Sequence, residues 1–428
     1  MSEDLPMLYG DGVHDDAPAI QALLDSGVSC VYLAPPKAHY AISRTLKIHS
    51  GQTLRLDATT EIRLLPRCDY CMIANADPEH GDQHITIEGG IWNMDNMNQT
   101  PFMADLPVLP GDRYPRNYAP RFRPLGPEWH HARNLDGAGD IPPEHQYLDA
   151  NASICTMVFS HTKYFTMRNL TIKNPRFFAT FFFYLEYFTI ENIRFDFNYG
   201  NPYAIHMDGI HLDGGCRFGQ IRNLQGRCFD DLLALNADDG MWGPIEDISV
   251  DGIYSDNCHS AVRMLSTKSW IRRITITNVF GTYWQYAIGI TRFHLREEEQ
   301  SSLGLYDDIV LRNIFASKAP RHSIYCKDDS YVYPLIFIER LLHIGRLHLE
   351  DFRRLETDTA IDSIYIGEKT DVDELSISHA SQENRTGKPF PFLNNEGRVR
   401  KLLMTNVDTK SDALLQGEGA VDQLVSLA

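Results

Sequence analysis

Short β-rich runs recur along the chain, and each alternates polar and apolar residues before ending in Asn or Gly. They are "HITIEGG" (84–90), "MRNLTIKN" (167–174), "IENIRFDFN" (190–198), "IEDISVDG" (245–252), "IRRITITN" (271–278) and "DDIVLRN" (307–313). When Leu170, Ile193, Leu224, Ile248, Ile274 and Ile309 are taken as equivalent, the gaps are 23, 31, 24, 26 and 35 residues. This period is typical of a solenoid, and it is too short for a full helix in each repeat. The pattern therefore predicts an all-β fold of stacked parallel coils, a parallel β-helix.

The N-terminal stretch "GVHDDAPAIQALLDSG" has the features of one short amphipathic helix. Asp15 or Asp16 is the candidate N-cap, Pro18 lies in the first turn, and Gly27 follows the last apolar position. The end of a solenoid needs a cover for its apolar core. We therefore predict one β-helix domain over residues 1–428, with residues 1–29 as its N-terminal cap.

Residues 96–149 interrupt the strand pattern with a segment dense in Pro, Gly, Arg and aromatic residues. Loops of this length are commonly functional lids or disordered segments, and the aromatic content favours a lid over the cleft. The segment is locally basic within an acidic chain, so Arg121 and Arg123 are predicted to contact the substrate. The alternative is a set of arginines paired only with acidic neighbours.

The composition limits the kinds of molecule that the protein is expected to bind. The chain has 428 residues, 43% hydrophobic content and a formal net charge of −17 at pH 7. This charge argues against nucleic acid and anionic membrane surfaces as partners, because both are bound through excess Lys and Arg. There is neither a membrane-length apolar run nor a basic n-region followed by an apolar h-region. We expect a cytoplasmic location, or secretion if a leader precedes this sequence, and the residues leave a homo-oligomer open.

Aspartates concentrate in "HMDGIHLDGG" and in "RCFDDLLALNADDG" about one coil later. Asp208 precedes Asp230 and Asp231 by 22 and 23 residues, so neighbouring coils about 4.8 Å apart would bring the three carboxylates together. His259 falls one further coil along. Turn chemistry is the alternative role for aspartates, and it accounts well for Asp213, Asp238, Asp239, Asp251 and Asp256. Calcium binding is the other alternative for a carboxylate cluster.

The order "DGI", then "DDLLALN", then a histidine resembles the polygalacturonase-type enzymes of glycoside hydrolase family 28. The opening "YGDGVHDDAPAIQALLDSG" is similar to the N-terminal cap of many pectin-lyase-like proteins. The resemblance implies a right-handed parallel β-helix and an inverting hydrolase. It also implies that Asp230 is the general acid, that Asp208 and Asp231 hold the attacking water, and that His259 matches the family's G-H-G histidine.

The sequence departs from that family's motifs at several positions. His206 and Met207 replace Asn and Thr, Cys258 and Ser260 replace two glycines, and "GIT" (289–291) stands in place of R-I-K. Since the missing basic residues would bind a uronate carboxylate, these departures count against galacturonan as the substrate. The further candidate substrate contacts are His259, His211, Arg263 and Arg292.

Clustered carboxylates suit glycoside hydrolysis because one must donate a proton while another activates water. We therefore predict a glycoside hydrolase with a carbohydrate substrate and neither cofactor nor metal. Two alternatives remain open at this point. One is a polysaccharide lyase or epimerase with Arg263 or Lys268 as its base and often calcium, and the other is a glycan-binding or tailspike-type module without catalysis.

Overall fold

A computed structural model describes residues 7–68, 70–99, 155–200, 206–239, 241–292, 302–319, 333–410 and 412–427. The chain divides into two compact units, residues 1–211 and 212–428. The proposed lid at 96–149 lies outside the described residues except for its first few positions, where a 3-10 helix spans Asn96–Asn98. No helix in the described ranges has the length and hydropathy of a membrane span.

The first unit contains the α-helix α1 (Ala17–Asp25), as predicted. Asp16 occupies the N-cap position, and the carboxylate of the preceding Asp15 accepts the Ala17 N–H at 3.0 Å. Asp16 instead points inward and accepts the backbone N–H groups of Tyr9 at 2.6 Å and Ala41 at 3.1 Å. The buried Asp16 carboxylate therefore ties the chain before the helix to the first coil.

The strands up to residue 212 are, in chain order, β1 (Cys30–Leu33), β2 (Tyr40–Ile42), β3 (Leu46–Ile48), β4 (Thr53–Leu56), β5 (Glu61–Leu64), β6 (Ile73–Asn75), β7 (Thr86–Glu88), β8 (Ile91–Asn93), β9 (Met157–Ser160), β10 (Thr166–Lys173), β11 (Thr180–Phe183), β12 (Glu186–Asp196) and β13 (Ile210–Leu212). Their pairings are parallel and join strands of successive coils. One series pairs β1 with β4, β4 with β7, β7 with β10, and β10 with β12. A second pairs β2 with β5 and β5 with β8, and a third pairs β3 with β6, β6 with β9, and β9 with β11. Each coil thus presents short strands to three stacked parallel sheets.

The strands of the second unit are β14 (Arg217–Arg227), β15 (Asp231–Asn236), β16 (Ile245–Leu265), β17 (Trp270–Thr291), β18 (Gly304–Lys318), β19 (Ile336–Ile338), β20 (Leu342–Glu356), β21 (Ile364–Ile366), β22 (Asp371–Asn384), β23 (Leu393–Asn395), β24 (Arg398–Asp408), β25 (Leu415–Gln416) and β26 (Ala420–Leu427). One ladder runs through β14, β16, β17, β18, β20, β22, β24 and β26, and the other through β15, β16, β17, β19, β21, β23 and β25. Because β16 and β17 are long enough to bend, each contributes to both ladders. These coils confirm the predicted all-β parallel β-helix class.

The core of the second unit is built by apolar residues at the same point of successive coils. Val250 pairs with Ile276, and Ile276 with Leu311, and all three are fully buried. Burial of such a side chain contributes roughly 2 kcal/mol. The alternation predicted from the sequence therefore marks which side of each strand faces the core.

The predicted equivalence of Leu224 and Ile248 is wrong. Leu224 pairs with Ile253, whereas Ile248 pairs with Gly219. The cause is a second left-handed backbone position in each coil: Asp247 (φ 58°) and Gly252 (φ 91°) lie five residues apart, and each precedes an apolar residue. Since the two positions share one local pattern, sequence alone cannot tell them apart.

Asn dominates the later of these left-handed positions. Asn223, Asn278 and Asn313 have φ values of 54°, 60° and 55°. Asn tolerates this conformation because its short polar side chain bonds locally. The side chains also join successive coils, since Asn278 donates to Asp251 at 2.6 Å and Asn313 donates to Asn278 at 2.5 Å. The Asn that ends each repeat in the sequence is therefore a corner residue.

Candidate active site

Asp208 and His211 form a buried pair in the first unit. His211 Nδ1 lies 2.7 Å from the Asp208 carboxylate, and the two side chains are 1% and 4% exposed. The His211 ring stacks on Phe178 with ring centroids 4.0 Å apart. The backbone is held by the residue just before β11, because the Ala179 N–H donates to the Asp208 carbonyl at 2.9 Å. Asp208 is thus a carboxylate held rigidly beside an imidazole. Its predicted stacking on Asp230 and Asp231 stays a prediction.

In the second unit, Asp230 and Asp231 stand at the start of β15, next to the corresponding points of β16 and β17. Asp231 pairs in register with Ser260, and Ser260 with Tyr286. Asp230, Asp231 and His259 bring one ligand-type atom each to within 4.8 Å of one another. The predicted convergence of His259 with the aspartate pair is therefore present in the structure.

His259 is a buried, neutral imidazole. Its Nδ1 lies 3.6 Å from Asp230 and 2.9 Å from Ser260 Oγ, and Trp284 packs edge-on against the ring at 4.1 Å. Burial lowers the pKa of His259 to about 4, and the charge of Asp230 offsets only part of this effect. Ser260 donates its single hydroxyl proton to Gln285 Oε1 at 3.1 Å, so Ser260 Oγ accepts the Nδ1–H of His259.

Asp231 sits in a different environment from Asp230. It is 2% exposed, lies 3.7 Å from Arg263 Nη1, and accepts the hydroxyl hydrogen of Tyr286 at 3.4 Å. Asp230 is 16% exposed. Burial alone would lower the pKa of Arg263, but the negative charge of Asp231 beside it helps to hold that pKa above its ordinary value. The fixed guanidinium balances the charge of Asp231, whereas Asp230 faces a neutral histidine.

Three consecutive residues of β17 hold the cluster in place. Trp284 contacts His259, Gln285 accepts from Ser260, and Tyr286 donates to Asp231. The buried ammonium of Lys318 donates to the backbone carbonyls of Trp284 at 2.9 Å, of Gln285, and of Tyr333 at 2.9 Å. All three ammonium hydrogens are thereby used, so Lys318 fixes the backbone behind the cluster.

The group Asp230, Asp231 and His259 has the donor types of a cation site. Arg263 already places a positive charge 3.7 Å from Asp231. A divalent cation bound to Asp231 would lie beside that guanidinium and be repelled by it. The arrangement therefore suits proton transfer better than coordination.

Of the remaining predicted site residues, the structure describes Arg292 but not Arg121 or Arg123. Arg292 is 1% exposed, and its Nε donates to the Ser302 carbonyl at 2.5 Å, while its backbone N–H donates to Glu339 at 2.7 Å. Burial and these contacts favour a structural role for Arg292 over the predicted substrate contact. Arg121 and Arg123 lie outside the described residues.

Several other aspartates have the turn role that the sequence allowed. Asp238 accepts the backbone N–H groups of Thr267, Lys268 and Ser269 at 2.8, 2.9 and 2.8 Å. Asp213 accepts the Met241 N–H at 2.7 Å. These carboxylates hold turns together, and they are separate in function from the Asp230 and Asp231 pair.

Sequence reasoning missed Tyr286, Trp284, Gln285 and Lys318. The run "TYWQY" (282–286) offered a signal, because it lies about one coil after "NCHSAV" (257–262) and could have been aligned with it. Lys318 offered none. Its neighbours Trp284 and Tyr333 are distant along the chain, and only the bend of β17 brings their carbonyls together.

No family model matches the chain, and no curated protein matches it. Among solved structures, the chain is similar to a family 28 exopolygalacturonase of Yersinia enterocolitica, with a TM-score of 0.55, 12% identity, and coverage of 97% of this chain and 76% of the other. It is also similar to an endo-xylogalacturonan hydrolase of Aspergillus tubingensis, with a TM-score of 0.52, 12% identity, and coverage of 97% and 99%. A third similar structure is the bacteriophage phi29 gene product 12, with a TM-score of 0.51, 12% identity, and coverage of 98% and 55%.

At these identities the similarity shows the fold alone. The chain is a right-handed parallel β-helix, like these neighbours. Two of these three neighbours are named as hydrolases of galacturonan-type glycans, and the third is a phage protein. One fold therefore serves more than one function here, so function has to be argued from the residues.

Proposed function

We propose that the protein is a glycoside hydrolase that cleaves a poly- or oligosaccharide by acid and base catalysis at Asp230 and Asp231. The observation that carries this proposal is the contrast between two adjacent carboxylates. Asp231 is buried beside Arg263 and the Tyr286 hydroxyl, whereas Asp230 is more exposed and faces His259. Two titratable groups in such different environments are typical of an acid and base pair.

The electrostatics assign the roles. Arg263 stabilises the ionised form of Asp231, and the ionised Asp231 disfavours a second negative charge on its neighbour. We therefore assign Asp230 as the general acid that donates a proton to the leaving glycosidic oxygen. Asp231 holds and activates the attacking water. Inversion of configuration is the outcome that the family resemblance implies. The ligand-type atoms of Asp230 and Asp231 lie within 4.8 Å of each other, nearer than the about 6.5 to 9.5 Å usual between the two carboxylates of an inverting enzyme, so the anomer formed is a direct test of these roles.

The same residues count against the lyase or epimerase alternative, which requires an unprotonated base. Arg263 has a pKa raised above its ordinary value with the help of the negative charge of Asp231, although burial opposes this effect. The Lys268 ammonium lies 3.2 Å from the centroid of the Trp242 ring, so the side chain is held in a cation–π contact with that ring. Neither candidate is suited to remove a proton from a sugar carbon.

The test begins with a panel of oligosaccharides assayed for new reducing ends. On the substrate so identified, Asp230→Asn removes the acid while keeping the side-chain shape, and we expect a rate loss on the order of 10²-fold or more. Asp256→Asn is the matched control, because Asp256 is an exposed carboxylate of the same unit that bonds Thr282 Oγ1 at 2.7 Å. Full activity in Asp230→Asn contradicts the assignment of the acid.

Two other outcomes separate the alternative functions. A product with an unsaturated sugar ring, detected by its ultraviolet absorbance, identifies a lyase. Binding of a glycan without any product over long incubation identifies a binding module.

A further inference from the structure

A column of outward positions runs from the candidate active site along the ladder that contains β19, β21, β23 and β25. In register it consists of Arg263, Gly289, Phe337, Tyr365, Asn394 and Gln416. Phe337 and Tyr365 are half-buried, and Gln416 is exposed. The column therefore begins at the Arg263 that contacts Asp231 and ends in amide side chains.

Aromatic rings follow this column: those of Tyr333, Phe337 and Tyr365 are half-buried, and that of Tyr286 is buried, with 4% of it exposed. Gly289 leaves the space beside it to the Tyr286 ring, since a Cβ at position 289 would lie 2.6 Å from Tyr286 Cε2. The Tyr286 ring is near-parallel to that of Phe337, with centroids 6.3 Å apart. Phe337 is near-parallel to Tyr365 at 5.9 Å, and Tyr333 packs against Phe337 at 4.6 Å. We name Tyr286, Tyr333, Phe337 and Tyr365 the aromatic column.

The aromatic column is physically connected to the candidate catalytic residues. Tyr286 belongs to both, because its hydroxyl donates to Asp231 at 3.4 Å. Lys318 donates to the carbonyls of Trp284 and Tyr333, so one buried ammonium holds a residue that contacts His259 and a residue of the column. A ligand bound at Phe337 would thus lie next to the ring that joins the column to Asp231.

We propose that the aromatic column binds the uncharged pyranose residues of the glycan that is cleaved at Asp230 and Asp231. This inference rests on the proposed function and adds the substrate class, a neutral glycan segment, and the direction in which it extends, toward the C-terminal coils. Aromatic rings present apolar surface to the C–H faces of sugars, and the amide of Gln416 offers hydrogen bonds to hydroxyl groups.

The charges around the column favour a neutral ligand over a polyuronate. Burial and the negative charges of Glu396, Glu368 and Asp362 raise the pKa of Tyr365 above its ordinary value. The same charges would repel a carboxylate on a sugar placed at Tyr365. The net charge of −17 adds to this repulsion.

The test is calorimetric binding in an Asp230→Asn background, which prevents turnover. The probes are the neutral hexamers galactohexaose, xylohexaose and mannohexaose, with hexagalacturonate as the anionic probe. We expect at least one neutral hexamer to bind more tightly than hexagalacturonate. Phe337→Ala and Tyr365→Ala should each weaken that binding on the order of tenfold or more.

Phe315→Ala is the matched control. Phe315 is also half-buried, and its ring stacks on Phe280 at 5.4 Å, but it lies on the other ladder of the same unit. The Phe315→Ala variant should bind the neutral hexamer as tightly as the Asp230→Asn background does. Phe337→Leu keeps apolar volume but removes the ring, so it tests the ring even if Phe337→Ala fails to fold. Cooperative unfolding is measured for every variant to show that each one is folded.

Three results overturn the inference: tighter binding of hexagalacturonate, no binding of any neutral hexamer, or equal losses in Phe315→Ala and Phe337→Ala. The proposed function is tested separately by reducing ends released by the protein with Asp230 intact. A neutral hexamer that binds through Phe337 and Tyr365 but is never cleaved supports the inference and contradicts the hydrolase.

Discussion

His259 gives a quantitative prediction for the pH dependence of stability. Burial lowers the pKa of His259 from its ordinary 6.5 to about 4. Between these values the unfolded chain binds a proton at this position and the folded chain does not, so stability is fully present above about pH 6.5 and is lost as the pH falls toward 4. Between pH 7.5 and 4.5 the contribution of this one group falls by about 2.5 kcal/mol.

The measurement compares the free energy of unfolding in urea for the wild type and His259→Gln across this pH range. His259→Gln removes the titrating group, so its stability should fall by about 2.5 kcal/mol less than that of the wild type. His379→Gln is the control, because it removes an exposed histidine from β22 of the same unit, and its stability curve is compared with that of the wild type. NMR of ¹³C-labelled histidine provides a direct second readout. A His259 resonance that titrates above pH 6, or parallel stability curves for wild type and His259→Gln, would refute the reasoning.

The remaining predictions concern metal, stereochemistry and a buried ion pair. Activity on the identified substrate should survive exhaustive EDTA treatment, because Arg263 already lies 3.7 Å from Asp231; loss of activity that calcium restores would count against proton chemistry at this site. NMR of the first-formed product should show an inverted anomer, as the family resemblance implies, and a retained anomer would rule out the water-holding role of Asp231. Glu356→Gln should destabilise the protein by about 3 kcal/mol or more, because it leaves Arg354, fully buried in the pair, without its carboxylate. Glu350→Gln should cost under about 1 kcal/mol, because its pair with Arg312 is exposed, and similar urea midpoints for the two variants would contradict the distinction.

Much of the fold could be predicted because its signals are local. Alternation of apolar residues marks the strands, and Asn223, Asn278 and Asn313 mark the corners. The register of the coils could not be predicted as safely. Leu224 and Ile248 carry the same local pattern at two different corners, and only the hydrogen-bonded ladder shows that Leu224 pairs with Ile253.

The candidate site divides in the same way. Asp230, Asp231 and His259 could be named from the sequence because residues one coil apart must approach each other, and they do. The neighbouring side chains that surround these three residues could not be predicted from the sequence. Arg263 was predicted as a substrate contact, but its ion-pair distance to Asp231 gives it a second role that a one-dimensional pattern does not contain.

The sequence by itself determined the coil, since strand alternation and left-handed corners depend on residues a few positions apart. It also determined that acidic side chains recur at the pitch of one coil. Only the tertiary structure decided which carboxylate is balanced by Arg263, that Lys318 holds the carbonyls of Trp284 and Tyr333, and that Tyr286 joins Asp231 to Phe337. The physical reason is that turns of unequal length separate the strands, so the residues that meet across coils are set by register and strand bending.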